Sequence, residues 1–104
     1  MSKKLTHEQL MSQIAEAAVN YQNAETSRNA LRRELNALYA TYFAAYGRPY
    51  PNDPRKRIDP EDPAFSGVLR FTDAAFERWL AARYLTTSTK RKMRTLIQRL
   101  ERSL

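Results

Sequence analysis

All five prolines of this chain stand between positions 49 and 63, at Pro49, Pro51, Pro54, Pro60 and Pro63. A proline lacks the amide hydrogen and has a fixed φ, so this stretch is barred from helix and from central strand. The chain is thereby divided into a segment before the prolines and a segment after them. Polyproline-like backbone with turns is expected across residues 48–63. The two PxxP spacings there, Pro51–Pro54 and Pro60–Pro63, are what a proline-rich connector produces by chance and do not argue for a peptide ligand.

The segment before the prolines reads as one helix from Thr6 to Tyr46. Thr6 and Gln9 have the spacing of a capping box, and Leu5 and Leu10 stand where a hydrophobic staple would place them. Gly47 occupies the position of a left-handed C′ residue and Pro49 follows it. No Gly or Pro lies between these ends. Leu10, Ile14, Ala17, Tyr21, Ala24, Arg28, Leu31, Leu35, Leu38, Tyr42 and Ala45 alternate steps of four and three, the pattern of a coiled-coil seam. The seam is weak at Ala24 and Arg28, within the polar stretch 20–29, where the helix could bend, break or face a polar partner. Tyr39, Tyr42, Phe43 and Tyr46 crowd its end and are expected to pack on the second half of the chain. A short second half cannot cover so long a seam. The helix is therefore expected either to form a homodimer or to offer Leu31, Leu35, Leu38 and Tyr42 to another protein.

After the prolines, Asp62 has the character of an N-cap with Pro63 at N1. A short helix over 64–70 is expected, with Phe65 and Leu69 on one side, although Ser66 and Gly67 weaken it. Thr72 or Asp73 would cap a second helix through about Tyr84, with Phe76, Trp79 and Leu80 on its core face. Leu85, Thr86 and Thr87 read as a break, and Ser88 as the N-cap of a final helix running to the end of the sequence. The expected fold is all-α. It comprises a long coiled-coil-like helix (residues 1–47), a proline-rich crossover (48–63) and a basic C-terminal helical hairpin (64–104) packed on the long helix.

Charge supplies the main functional signal. The net charge is +7 and the pI is 10.1. Residues 1–47 carry five basic and four acidic side chains, whereas residues 48–104 carry thirteen and seven. In the last helix Met93, Leu96, Ile97, Leu100 and Leu104 form an apolar arc. Lys90, Arg91, Lys92, Arg94, Arg99 and Arg102 cover the rest, an arrangement that suits a helix docked on its own protein and showing positive charge outward. Arg55, Lys56 and Arg57 form a second basic cluster. The partner implied is a polyanion or an acidic protein surface. Phe76 to Leu80 followed by Leu85 to Met93 resembles the core-binding helical region of phage-type tyrosine recombinases. There a helix ends in a short Leu-led turn and a Thr opens the next. The resemblance spans about 25 residues, includes no catalytic residue, and implies nucleic-acid binding by a helical pair.

Enzymatic chemistry has few groups to work with. The chain has no cysteine, so disulfides, thiolate metal sites and cysteine nucleophiles are excluded. His7 is the one histidine, leaving neither a second imidazole for a metal site nor a base for a serine triad. Asp59, Glu61 and Asp62 are explained by capping and do not match a calcium loop. Two glycines, Gly47 and Gly67, do not make a phosphate-cradling loop. A non-enzymatic protein without cofactor or metal is expected. The start of the sequence lacks the apolar core of a signal peptide and no apolar run approaches a membrane span, so a cytoplasmic location is expected. The aromatic stripe 39–46 suits a core better than a base-stacking platform. Membrane-surface binding by the last helix ranks below two other functions. In the first, Lys90, Arg91, Lys92, Arg94 and Arg99, helped by Arg55, Lys56 and Arg57, bind nucleic acid without sequence specificity. In the second, the chain is a stoichiometric adaptor or inhibitor on a larger protein such as a nucleic-acid-processing enzyme. Either suits an accessory protein of the kind carried by phages and other mobile elements.

Overall fold

The structure, a computed structural model, describes residues 5–104. Met1–Lys4, on which the reading of the N-terminus partly drew, lie outside the described residues. Two helices account for most of the fold: α1 over His7–Tyr46 and α2 over Ser66–Ser103, the latter entered through a 3₁₀ turn at Pro63–Phe65. The fold is all-α, with no strand among the described residues.

The ends of α1 follow the sequence signals. Thr6 N–H donates to Gln9 Oε1 at 3.0 Å and Gln9 N–H donates to Thr6 Oγ1 at 3.1 Å, a reciprocal capping box. Leu5 packs against the cluster that contains Leu10. At the other end Gly47 has φ +77°, and its N–H donates to Phe43 O at 2.8 Å. That bond satisfies a carbonyl the helix would otherwise leave open, and the left-handed φ is available to glycine without a Cβ penalty. The helix runs unbroken through 20–29.

The second half departs from expectation. The hairpin expected over 64–104 is replaced by one unbroken helix, and the turn implied by the recombinase resemblance is absent. The misreading lay with the hydroxyl residues. Thr72, Thr86, Thr87 and Ser88 have the character of caps and breakers, yet all four lie inside α2 and none caps a helix. Thr72 Oγ1 donates back to Val68 O at 2.8 Å, and Thr87 and Thr89 bond the carbonyls of Arg83 and Leu85. Ser88 Oγ donates to Leu85 O at 3.1 Å. Hydroxyls satisfied this way stay within a helix at a propensity cost of only about half a kcal/mol each. Asp62 is the true cap, with Oδ1 accepting from Ala64 N–H at 2.9 Å and Pro63 in the first turn.

A continuous α2 also reveals a second seam. Phe65, Val68, Thr72, Ala75, Trp79, Ala82, Thr86, Thr89, Met93, Leu96 and Leu100 step by three and four, and each is buried or half-buried. It is long enough to cover the seam of α1, where only Ala45 is exposed.

The chain forms two compact units, each built from a stretch of both helices. The terminal unit comprises Met1–Asn29 and Ala81–Leu104; the loop unit comprises Ala30–Leu80. In the terminal unit the two helical stretches run antiparallel, with Leu10 and Ala17 against Leu96 and, further along α1, Ala24 O within 3.2 Å of Thr86 Oγ1. Leu5, Ile14 and Met93 complete that cluster. Met93 and Leu96 thus pack on α1.

The loop unit is likewise antiparallel, with Glu34 paired to Arg78 at 2.8 Å and Tyr42 against Phe71 with ring centroids 5.7 Å apart. Leu35, Val68 and Thr72 are its most buried side chains, accompanied by Phe65 and Ala75. Phe76 is largely exposed and tilts against Trp79, because the buried seam passes through Ala75. Arg32 from α1 lies 4.8 Å over the Trp79 ring, whereas Arg78 is the partner of Glu34. The connector is a run of turns, with backbone bonds from Asp53 to Tyr50, Lys56 to Asp53 and Asp62 to Asp59. Tyr50 Oη donates to Asp62 Oδ2 at 2.6 Å and ties its two ends together.

Candidate nucleic-acid interface

The terminal unit gathers the charge. Its sequence stretches carry ten basic and four acidic side chains, whereas the loop unit carries eight and seven. Lys90, Arg91, Lys92, Arg94 and Arg99 are all exposed. Among the described residues none of these five forms an ion pair; the two within 4 Å are Arg28–Glu25 and Arg78–Glu34. Uncompensated cations on a rigid helix are poised for an anion without first breaking internal contacts.

Two grooves frame these cations. The larger, about 520 Å³, is walled by Tyr21 and Arg28 of α1 and by Lys90, Arg91 and Arg94 of α2. Thr87, Thr95 and Gln98 continue the α2 wall. The smaller, about 410 Å³, lies beside Gln13 and is bounded by Ser88, Lys92 and Arg99. Arg91 and Thr95 border both grooves. Positions 87, 90, 91, 94, 95 and 98 recur at helical spacing, so the larger groove follows one face of α2 for about three turns.

Charge dominates the polarity of this surface. The threonine hydroxyls that line it already donate to backbone: Thr86 sits within reach of Ala82 O and Ala24 O, Thr87 bonds Arg83 O, and Thr95 bonds Arg91 O. They retain acceptor capacity but no free hydrogen, so an anion in the groove would be held by guanidinium and ammonium groups. Glu25 is the one acid that engages the α1 wall. It accepts from Tyr21 Oη at 3.0 Å and stands 4.0 Å from Arg28. The hydrogen bond to Glu25, followed by partial burial, raises the Tyr21 phenol above its ordinary value, so Tyr21 stays neutral at physiological pH.

The remaining candidates lie elsewhere. Arg55, Lys56 and Arg57 belong to the loop unit, where Lys56 Nζ stands 5.1 Å from the Tyr50 ring centroid, and are not brought into the groove of the terminal unit. Leu35 is fully buried, and Leu31, Leu38 and Tyr42 are half-buried. Tyr42 packs on Phe71 and none of the four is fully exposed, so the open stripe expected of α1 is largely covered. Two wall residues escaped the sequence reading as ligand groups: Arg28 and Tyr21 were assigned to the seam. A lone arginine at a seam position was the available signal. His7 is exposed in the first turn of α1, and no cluster of three or more metal-ligating side chains occurs among the described residues. No helix among them is long and apolar enough to cross a membrane.

No family model matches the chain, and neither a curated protein nor a solved structure is significantly similar to it.

Proposed function

We propose that the chain is a non-enzymatic nucleic-acid-binding protein that grips a phosphate backbone in the larger groove of the terminal unit. The single observation that supports this is the convergence of Arg28, Lys90, Arg91 and Arg94 on one groove, with no ion pair on the three α2 cations. The cations lie along one groove at helical spacing, a placement that meets the phosphates of a backbone, and Gln98 is the one amide on this wall. Binding is therefore non-specific in sequence and steep in salt. Lys92 and Arg99, in the smaller groove, extend the contact by the same chemistry. Arg55, Lys56 and Arg57 are not needed for it.

The test is fluorescence anisotropy with labelled duplex DNA, single-stranded DNA and RNA across a salt series. Four phosphate contacts on a duplex correspond to a slope of about −3.6 in log K against log salt. Absence of binding to all three at low salt, with the protein shown to be folded, sinks the proposal.

A further inference from the structure

The loop unit has an open-sided cavity of about 770 Å³ lined by α1, the connector and α2. Small-molecule sites fall in the range of roughly 300–1,000 Å³. The chemistry of this wall changes along its length. Arg32 and Asn36 of α1 and Asp73, Phe76 and Glu77 of α2 line one end, which the Glu34–Arg78 pair fixes as neighbouring stretches. Further along α1 come the rings of Tyr39 and Phe43, with Phe65 contributed by the turn before α2. Beyond the end of α1 the connector supplies Arg48, Lys56 and Arg57.

Two of the cations at that last end stack on rings, and the charge of Lys56 also acts on the Asp62 carboxylate. Arg48 stands 5.3 Å over the Phe43 ring and Lys56 5.1 Å over the Tyr50 ring, contacts that fix a cation without neutralising it. Among the described residues neither they nor Arg57 form an ion pair. Asp53, which also lines the cavity, already accepts a hydrogen bond from Arg55 N–H at 3.3 Å. Tyr50, Asp62 and Phe65 brace the connector from behind, through the 2.6 Å hydrogen bond and a ring contact at 6.0 Å.

Hydrogen-bonding groups at one end, aromatic faces in the middle and fixed cations at the other match one ligand chemistry: a flat heterocycle with polar edges joined to an anion. We infer that this cavity binds a nucleoside monophosphate. The base edge meets Asn36, Asp73 and Glu77, the base stacks among Tyr39, Phe43 and Phe65, and the phosphate is held by Arg48, Lys56 and Arg57. From Asn36 to Phe43 is about 10 Å along the helix axis, enough to separate the base edge from the phosphate end. The inference does not depend on the terminal unit, whose groove has no such row of rings.

The experiment is calorimetric titration of the full chain with each of the four common ribonucleoside 5′-monophosphates, with adenosine and with inorganic phosphate. Chemical-shift mapping accompanies it. At least one monophosphate should bind saturably at one per chain, shifting resonances of Phe43, Tyr50 and Phe65, with adenosine and phosphate each at least about tenfold weaker. R48A/R57A should lower the monophosphate affinity by about tenfold or more and leave the weak adenosine binding unchanged, whereas R91A/R94A should bind it as the wild type does. No saturable monophosphate binding at millimolar concentration overturns the inference, as does phosphate binding equal to that of every monophosphate. Loss of binding in R91A/R94A but not in R48A/R57A overturns it as well. If R48A/R57A fails to fold, the shift map and the monophosphate-to-phosphate ratio on the wild type decide.

Discussion

The two units use the same pair of helices in opposite ways. In the loop unit the seam carries large side chains, Leu35, Phe65 and Val68, and four of the seven acids are tied up locally. Asp53, Asp59 and Asp62 accept backbone hydrogens in turns, and Glu34 holds Arg78. Its charges nearly cancel. In the terminal unit the middle of the seam is small and hydroxylated, with Ala24 against Thr86, and Lys90, Arg91, Lys92, Arg94 and Arg99 of α2 form no ion pair among the described residues. A narrow seam brings the two helices close, so Arg28 of α1 and the arginines of α2 border one groove. The contrast teaches that the candidate groove lies where the seam is thinnest in side-chain bulk, while the heavier core holds the connector and the turn into α2.

The largest effect that can sharpen this contrast is on stability. Leu35 is fully buried, and Leu35→Ala removes most of its side chain from the loop unit. A cost of about 3–4 kcal/mol is expected by urea unfolding, against about 2–3 kcal/mol for Leu96→Ala in the terminal unit. A larger loss at Leu96 than at Leu35 would break the comparison. A medium effect is expected at Gly67, where an added Cβ would fall on Tyr42 Oη. Gly67→Ala should destabilise the wild type by about 1–2 kcal/mol despite the better helix propensity of alanine. In a Tyr42→Phe background the cost should shrink; an equal cost in both backgrounds would show that the Tyr42 hydroxyl is not what excludes a side chain there.

The smallest effect concerns the connector. The hydrogen bond from Tyr50, and then that from Ala64 N–H, hold the Asp62 carboxyl below its ordinary value, while the bond to Asp62 raises the Tyr50 phenol. A lowered folded value for Asp62 means that its contribution is complete above the ordinary carboxylate range and is lost as pH falls through the lowered value. A raised value for Tyr50 means that its contribution is complete below the ordinary tyrosine range and is lost as pH rises through the raised value. The clasp therefore holds between those two limits. In Tyr50→Phe, carbon-detected titration should show Asp62 protonating at a higher pH than in the wild type. An unchanged Asp62 titration would remove Tyr50 from the account of the connector.

Much of this architecture is readable from local chemistry. The Thr6–Gln9 box, the Gly47 terminus and the Asp62–Pro63 start depend on residues within one turn of each other, and each forms as its spacing implies. The α1 seam is legible for the same reason, since its Leu and Tyr residues repeat at seven. The continuity of α2 is not legible, because Thr72, Ala75, Ala82, Thr86 and Thr89 occupy its seam. A threonine whose hydroxyl returns to the preceding turn looks the same in sequence as one that caps a helix. With α2 read as two short helices the α1 seam looks uncovered, whereas Leu35 is fully buried and Leu31, Leu38 and Tyr42 are half-buried. The candidate groove was half legible. Lys90, Arg91 and Arg94 stand out by charge, but Arg28 and Tyr21 join them only through antiparallel pairing across some sixty residues of chain, which no local pattern encodes.

The central claim, that polyanion binding belongs to the terminal groove rather than to net charge at large, is tested most directly by two variants that remove equal charge. Arg91→Ala/Arg94→Ala alters the groove, and Arg33→Ala/Arg70→Ala removes two exposed cations from the loop unit outside its cavity. The quantity to measure is the slope of log K against log salt for duplex DNA. The account predicts that the groove variant flattens the slope by about 2 and weakens binding, whereas the loop-unit variant leaves the slope within about half a unit of the wild type. Equal flattening in both variants would contradict it.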